Sequence, residues 1–400
     1  MKICIIVDDY MPHSIKVAAK MMHELACEFV EQGHVVSVIT PEAKLSQPLV
    51  IENLDGVDIY RFKSGEIKNI SKIKRAINET LLSHNAWKSC EDFFVNNPHD
   101  FIIYYSPSIF FGSLVKKLKK NWGVKSYLIL RDFFPQWTID NGLLKEKSLI
   151  TKYFKFFEKI NYDAADTIGV MSSKNLEWFK DYYKTEKDIE VLYNWATIDK
   201  FENNTYKYRK KLGIERKIIY FYGGNLGHAQ DMMNIIRLAN SMKNEQEAHF
   251  LLVGDGDEVE LLKSKIDEYG LYNTTLLPSV NQQEFKQILS EVDIGLFSLS
   301  KHHKTHNFPG KLLGYMVQEI PILGSINFNN DLKEMLEMHH AGLITINGDD
   351  EQFYKNAKKL LDKETRLEVG KNGNKLLKSK FSVYSATKNI IRGQSFTFKL

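Results

Sequence analysis

Lys217-Ile218-Ile219-Tyr220-Phe221-Tyr222-Gly223-Gly224-Asn225-Leu226-Gly227 decides the fold. An almost wholly apolar run, rich in β-branched and aromatic residues, ends abruptly in glycines. Such a run suits a strand buried on both faces of a parallel sheet. Glycines after it let the backbone approach a ligand and aim its amides at an anion. A helix expected from near Gln230 adds a favourable field for phosphate at its N-terminus. The same residues also read as a plain tight turn. No Gly-Lys-Ser/Thr follows, so this is not a Walker A loop, and it is not the dinucleotide G-x-G-x-x-G either.

Runs of the same kind recur in both directions. Upstream they are Lys2–Val7, Val35–Thr40, Val57–Phe62, Phe101–Tyr105, Lys125–Leu130, Thr167–Met171 and Glu190–Tyr193. Downstream they are His249–Val253, Thr274–Leu277, Asp293–Phe297, Ile320–Leu323 and Leu343–Ile346. Amphipathic stretches separate them, as in Ile15 to Gln32, where Val17, Met21, Met22, Leu25, Phe29 and Val30 form a stripe and Gly33 stops the helix. Phe285 to Ser290 and Gly310 to Val317 read as short helices. Strand–helix alternation predicts parallel sheets with helices on both faces and right-handed crossovers. The fold class is therefore α/β, with two Rossmann-like domains facing each other across an interdomain cleft. The polar stretch from Asn194 to Lys211 marks the boundary. It gives an N-terminal domain over 1–195, a C-terminal domain over 196–380 and a tail over 381–400 that packs back on the first domain. In such sheets ligands bind at the carboxyl ends of the strands.

The chain has 400 residues, which suits two domains. With 43% hydrophobic and 26% charged residues it is an ordinary globular composition, and a long disordered tail is excluded. Lys plus Arg number 54 against 50 Asp plus Glu, a net charge of +4 that gives no case for nucleic-acid binding. Cys4, Cys27 and Cys90 share no motif spacing and are too few for a disulfide framework or a zinc cage, which fits a reducing cytoplasm. Asp8 and Asp9, so soon after a short apolar run, argue against a secretory signal. Phe101 to Val115, broken by Ser106, Pro107, Ser108 and Gly112, is too short to span a bilayer.

Further motifs sit at predicted strand ends. Val253-Gly254-Asp255-Gly256-Asp257-Glu258 offers polar contacts to a nucleotide, although Asp257 and Glu258 fit better as the start of a helix. His302, His303 and His306 form only a weak metal set, without a carboxylate in the run. Pro309-Gly310 opens a helix and puts Lys311 in its first turn. A cation there opposes the helix dipole, so it suits a bound anion, diphosphate above all, unless it is simply solvated. Leu130-Arg131-Asp132-Phe133-Phe134-Pro135-Gln136-Trp137 brings Arg131 and Asp132 to a strand's carboxyl end, where a carboxylate can hold an acceptor hydroxyl or act as base. Phe133, Phe134 and Trp137 can floor a sugar site. A structural salt bridge under aromatic packing explains the same residues. Lys116, Lys117, Lys119 and Lys120 beside Trp122, and Ile67 to Trp87 with Lys68, Lys72, Lys74 and Arg75, suit either an anionic membrane surface or ordinary solvated helix faces.

Taken together, the chain resembles a GT-B glycosyltransferase of the large family 4. The similarity covers essentially the whole chain. It rests on Pro12, Ser14 and Gly33-His34-Val35-Val36, on Arg131-Asp132-Phe133-Phe134-Pro135, on Asn194-Trp195, on Gly223-Gly224-Asn225-Leu226-Gly227-His228-Ala229-Gln230 and on Pro309-Gly310-Lys311-Leu312-Leu313-Gly314-Tyr315-Met316. Arg-Asp-Phe-Phe-Pro-x-Trp and Asn-Phe-Pro-Gly-Lys are most similar to the WbuB-type transferases of bacterial O-antigen synthesis, which are associated with N-acetyl-L-fucosamine. The resemblance implies a UDP-sugar donor held by Gly224, Asn225, Gly227, Gln230, Gly254, Gly310, Lys311 and Leu312. It implies an undecaprenyl-diphosphate-linked acceptor sugar near Ser14, Phe134 and Trp137, with Asp132 and Arg131 catalytic. It implies no cofactor and no obligatory metal, and a cytoplasmic enzyme on the inner face of the plasma membrane. Relatives carry two glutamates eight positions apart in the donor site. Here those positions are His306 and Gly314, and Lys311 and Arg131 are the cations left for diphosphate.

Overall fold

The apolar runs form the strands of two sheets. The first has the order β3-β4-β2-β1-β5-β6-β7-β8. Its members are β1 (Lys2–Ile6), β2 (Val35–Glu42), β3 (Leu49–Leu54), β4 (Val57–Lys63), β5 (Phe101–Ser106), β6 (Lys125–Leu130), β7 (Thr167–Val170) and β8 (Asp188–Val191). The second has the order β11-β10-β9-β12-β13-β14. It holds β9 (Ile218–Gly223), β10 (Ala248–Val253), β11 (Thr274–Leu277), β12 (Ile294–Ser298), β13 (Ile322–Ile326) and β14 (Gly342–Ile346). This computed structural model describes all residues except 15, 68–69, 141, 203–204, 302–309, 329 and 393–400. The chain divides into two units, one of Met1–Tyr193 with Ala386–Leu400 and the other of Asn194–Ser385. In the first unit Gln32 Nε2 donates to Thr387 Oγ1 at 2.7 Å.

All described pairings are parallel except one. Strand β3, not expected from its sequence, runs antiparallel to β4, with Leu54 opposite Val57. The turn between them is Asp55-Gly56, with φ of 51° and 81°. Two consecutive positive φ values define a type I′ hairpin, and Asp-Gly is the sequence that favours it. Strand β3 alternates between half-buried and exposed positions, so it lacks the continuous apolar run of its neighbours.

Core strands are buried throughout, as the parallel arrangement requires. β5 and β10 are buried at every position. In the first unit the Gly112–Trp122 helix lies directly on the Leu149–Ala164 helix. A Cβ at Gly112 would come within 2.6 Å of Asn161 Cα and Ile160 O. Tyr104 Oη donates to Asn161 O from the sheet beneath, at 2.6 Å.

That packing engages part of the Lys116–Lys120 run, one of the two readings its sequence allows. Lys119 Nζ pairs with Asp166 at 2.6 Å and donates to Ala164 O at 3.0 Å. Lys116 reaches Asp163 at 4.0 Å, and Lys117 Nζ sits 3.4 Å above the Trp87 ring. Three of the four lysines are thus satisfied by their own unit. Replacing Gly112 with Ala forces two backbones apart. We expect a loss of about 1–3 kcal/mol, read as a lower urea midpoint.

Candidate active site

Each sheet changes direction at its middle. In the second unit β9 is followed outward by β10 on one side and flanked by β12 on the other, so the loops after these strands diverge and leave a crevice. The loops after β9 and β10 are interlocked through their backbones. Gly224 N donates to Val253 O at 2.9 Å, and Leu226 N to Asp255 O at 2.9 Å. A Cβ on Gly254, whose φ is +158°, would stand 1.8 Å from Gly224 O. One on Gly256 would stand 2.2 Å from Leu226 O. Gly254 therefore serves by letting the Gly224 loop lie against it.

The side chains of Asn225 and Gln230, both proposed for the donor, bond to each other at 2.8 Å. Gly227 lies under them, where a Cβ would stand 2.7 Å from Asn225 Nδ2 and 2.6 Å from Asp257 Oδ1 and would push both side chains aside. The expected helix near Gln230 begins later. His228–Gln230 is a short 3₁₀ turn, Asp231 sits at φ 45°, and the helix is Met232–Ser241. Asn347 Nδ2 holds Asp231 Oδ2 at 2.9 Å. Glu258, expected to cap its own helix, makes no such bond. Its Oε2 instead accepts from Met232 N at 3.3 Å and caps the donor-loop helix.

Lys311 stands in the first turn of the Gly310–Val317 helix, anchored by the fully buried Leu312 beside it. Its Nζ lies 3.9 Å from the centre of the Tyr222 ring and 3.5 Å from where a Gly224 Cβ would be. Burial pushes the amine down to about 7. Among the described residues no carboxylate pairs with it. Gly310 faces open space. Gly314 comes within 3.4 Å of Leu289 when given a Cβ, which aims that position at the neighbouring helix. His306 and Pro309 lie outside the described residues.

In the first unit Asp132 follows β6. Burial raises its carboxyl to about 6, against hydrogen bonds from the Phe134 backbone and the Trp137 side chain that favour the ionised form. Arg131 does not face outward. Its guanidinium donates to Leu192 O at 2.6 Å and Tyr193 O at 3.1 Å, and burial lowers it to about 10. It straps β6 to the chain after β8, which is a structural role. Phe134 packs edge-on to Phe154 at 4.8 Å, while Trp137 is 43% exposed. Trp137 thus stands at the Asp132 carboxylate, and Phe134 turns to the Phe154 ring. Ser14 is buried, and its Oγ accepts from Lys16 N at 3.2 Å.

The sequence reading missed the carboxyl end of β1, at the switch point of the first sheet. There a cavity of about 530 Å³ is lined by Asp8, Asp9, His13, Glu42, Lys44 and Glu66, among others. Burial raises the Asp8 carboxyl, opposed by Lys16. The signal was present, since Asp8-Asp9 directly follows the first apolar run.

Two Rossmann-like units, one with a glycine loop and a buried amine and the other with a carboxylate at their strand ends, have the architecture of GT-B glycosyltransferases. Residues 204–376 match the family described as "Glycosyl transferases group 1". Among curated proteins the chain is similar to the probable glycosyltransferase WbjE of Pseudomonas aeruginosa, 22% identical over 54% of each chain. It is also similar to the putative colanic acid biosynthesis glycosyl transferase WcaI of Escherichia coli, 23% identical over 78% of this chain and 80% of that one. The chain thus spans about half the length of WbjE and four-fifths of WcaI. Among solved structures, Anabaena HepE in complex with UDP superposes with a TM-score of 0.66, at 13% identity over 98% of this chain and 99% of that one.

The lowered Lys311 value carries a linkage consequence. The unfolded chain binds a proton at this amine up to about pH 10.4, whereas the folded chain releases it near 7. Holding the charge therefore costs stability fully below pH 7, and the cost fades as pH rises toward 10. Lys311→Met should raise the urea midpoint more at pH 6 than at pH 9.5. Equal gains would show that the amine is not desolvated.

Proposed function

We propose that this chain moves a sugar, N-acetyl-L-fucosamine, from its UDP donor to an undecaprenyl-diphosphate-linked acceptor sugar in surface polysaccharide synthesis. The observation that carries the reading is Lys311, an amine desolvated beside a glycine loop with no carboxylate partner among the described residues. A desolvated amine either gives up its proton or needs a counter-charge, and a bound anion supplies one. Diphosphate is such a ligand, and the name of HepE's complex and the family match of residues 204–376 support it as part of a nucleotide sugar. The names of WcaI and WbjE support a polysaccharide context. The sugar rests on the likeness of Arg131–Trp137 to the WbuB-type motif.

In the reaction the bond between the sugar's anomeric carbon and the diphosphate oxygen breaks. A bond from an acceptor hydroxyl oxygen forms, and that hydroxyl's proton is released. Charge accumulates on the departing diphosphate, where Lys311 and the amides of the Gly224–Gly227 loop stabilise it. In this reading the cation's work falls to Lys311 and no obligatory metal is needed. Asp132 orients the acceptor hydroxyl. A carboxyl at about 6 is mostly ionised at neutral pH and still close enough to accept a proton. Arg131 contributes indirectly, by fixing the segment from which Asp132 projects.

A panel of UDP-sugars, assayed for UDP release with and without a GlcNAc-diphosphate-lipid, tests the reading. Acceptor-dependent release with UDP-N-acetyl-L-fucosamine is expected. Turnover of donor alone into an epimer would make the chain a nucleotide-sugar 2-epimerase, and UDP binding without turnover a silent partner subunit. Asp132→Asn should lower kcat by about 10²–10⁴. The kcat/KM profile of the free enzyme should be bell-shaped, rising through about pH 6 as Asp132 ionises and falling above about pH 7 as Lys311 loses its proton.

A lipid-linked acceptor places the enzyme at an anionic membrane, and no described helix is long and apolar enough to cross one. The supporting surface is the Lys72–Thr80 helix, where Ile73 is 75% exposed and Ile77 54%, beside Lys72 and Lys74. The hydroxyls of Thr80 and Tyr153 bond and join this helix to the start of the Leu149–Ala164 helix, where Leu149 and Ile150 are also exposed. Such a face suits insertion at the headgroup level. In flotation with phosphatidylglycerol-containing vesicles, Ile73→Asp with Ile77→Asp should lose most binding. Changing Lys116, Lys117, Lys119 and Lys120 should matter less.

A further inference from the structure

His23 and Cys27 occupy adjacent turns of the Val17–Glu31 helix, four residues apart and so on one face. The Asp55-Gly56 turn of the β3–β4 hairpin packs against that helix, and a Cβ on Gly56 would lie 3.1 Å from Val30 Cγ1. It presents the Asp55 carboxylate to the same point. His23 Nε2 is 3.0 Å from Asp55 Oδ2 and 3.5 Å from Cys27 Sγ, and the three donor atoms all lie within 4.8 Å of one another.

We propose that His23, Cys27 and Asp55 bind one zinc-class divalent ion, with a fourth position left to solvent. The donor set is one thiolate, one imidazole and one carboxylate, the combination of a borderline-soft metal. Zinc bond lengths in a tetrahedron put nitrogen and sulfur ligands about 3.6 Å apart, and nitrogen and oxygen ligands about 3.4 Å apart. The first separation is already met, and the second needs a few tenths of an ångström. The outer partner is also in place. Tyr10 Oη lies 2.9 Å from His23 Nδ1, which leaves Nε2 as the nitrogen facing the ion. Binding releases the Cys27 thiol proton and links three segments: the helix, the hairpin turn and the loop after β1 that carries Tyr10. The site lies in the unit that does not contain Lys311, so it is independent of the donor reading.

Cobalt(II) is the probe, added to the full chain after treatment with chelator and reductant. One equivalent should give a near-ultraviolet thiolate-to-cobalt charge-transfer band with visible bands of tetrahedral intensity, and zinc should displace both. Cys27→Ser should abolish the charge-transfer band while the far-ultraviolet dichroism stays unchanged. Cys4 and Cys90 are buried and would still be present in that variant. Tyr10→Phe should keep the band but weaken affinity by about 10–100-fold. No band at saturating cobalt, or an equal band in Cys27→Ser, overturns the proposal.

Discussion

The carbonyl of Gly224 stands where a side chain at Gly254 would begin, 1.8 Å from its Cβ position, and the donor side of the structure depends on that contact. It locks the loop after β9 onto the loop after β10, with a second glycine, Gly256, repeating the device on Leu226. With the loop fixed, Tyr222 and Gly224 form a wall, and Lys311 is pressed against it from a separate helix. The glycines thus act less by touching a ligand than by holding a cation and a row of backbone amides at one place. Such preorganisation leaves little to rearrange when negative charge arrives.

The two units divide the electrostatics. The second carries a cation whose charged form is disfavoured by burial, and the first carries carboxylates whose charged forms are disfavoured for the same reason. Each group is held away from its relaxed state in water, and opposed perturbations of this kind mark sites where charge must move. Arg131 shows the contrast. It is also desolvated, but its guanidinium donates to the carbonyls of Leu192 and Tyr193 and so ties β6 to the chain after β8.

The sheets were legible in the sequence because strands buried on both faces leave continuous apolar runs, and β1, β2, β5 and β9 are of that kind. Strand β3 was missed because it lies at the sheet edge with none of its residues buried, although Asp55-Gly56 was a usable hairpin signal. Lys311 was found because a lysine in a first helical turn contradicts the dipole. Asp8 was passed over because Asp8-Asp9 was weighed only against a secretory signal, and the strand order is what places it at the switch point. The lysines of 116–120 allowed either a membrane patch or an ordinary helix face because a charge run does not reveal its partners. Asp163 and Asp166 meet them only after the chain returns more than 40 residues later.

The central claim is that Lys311 waits for a diphosphate, and proton uptake tests it most directly. With an amine near 7, most molecules at pH 8 hold Lys311 neutral, and a bound diphosphate pulls the proton back. Calorimetric titration of UDP at pH 8, in two buffers of different ionisation enthalpy, should show uptake approaching one proton per UDP in the native chain and none attributable to this site in Lys311→Met. Binding without uptake, or the same uptake in both proteins, would contradict the account.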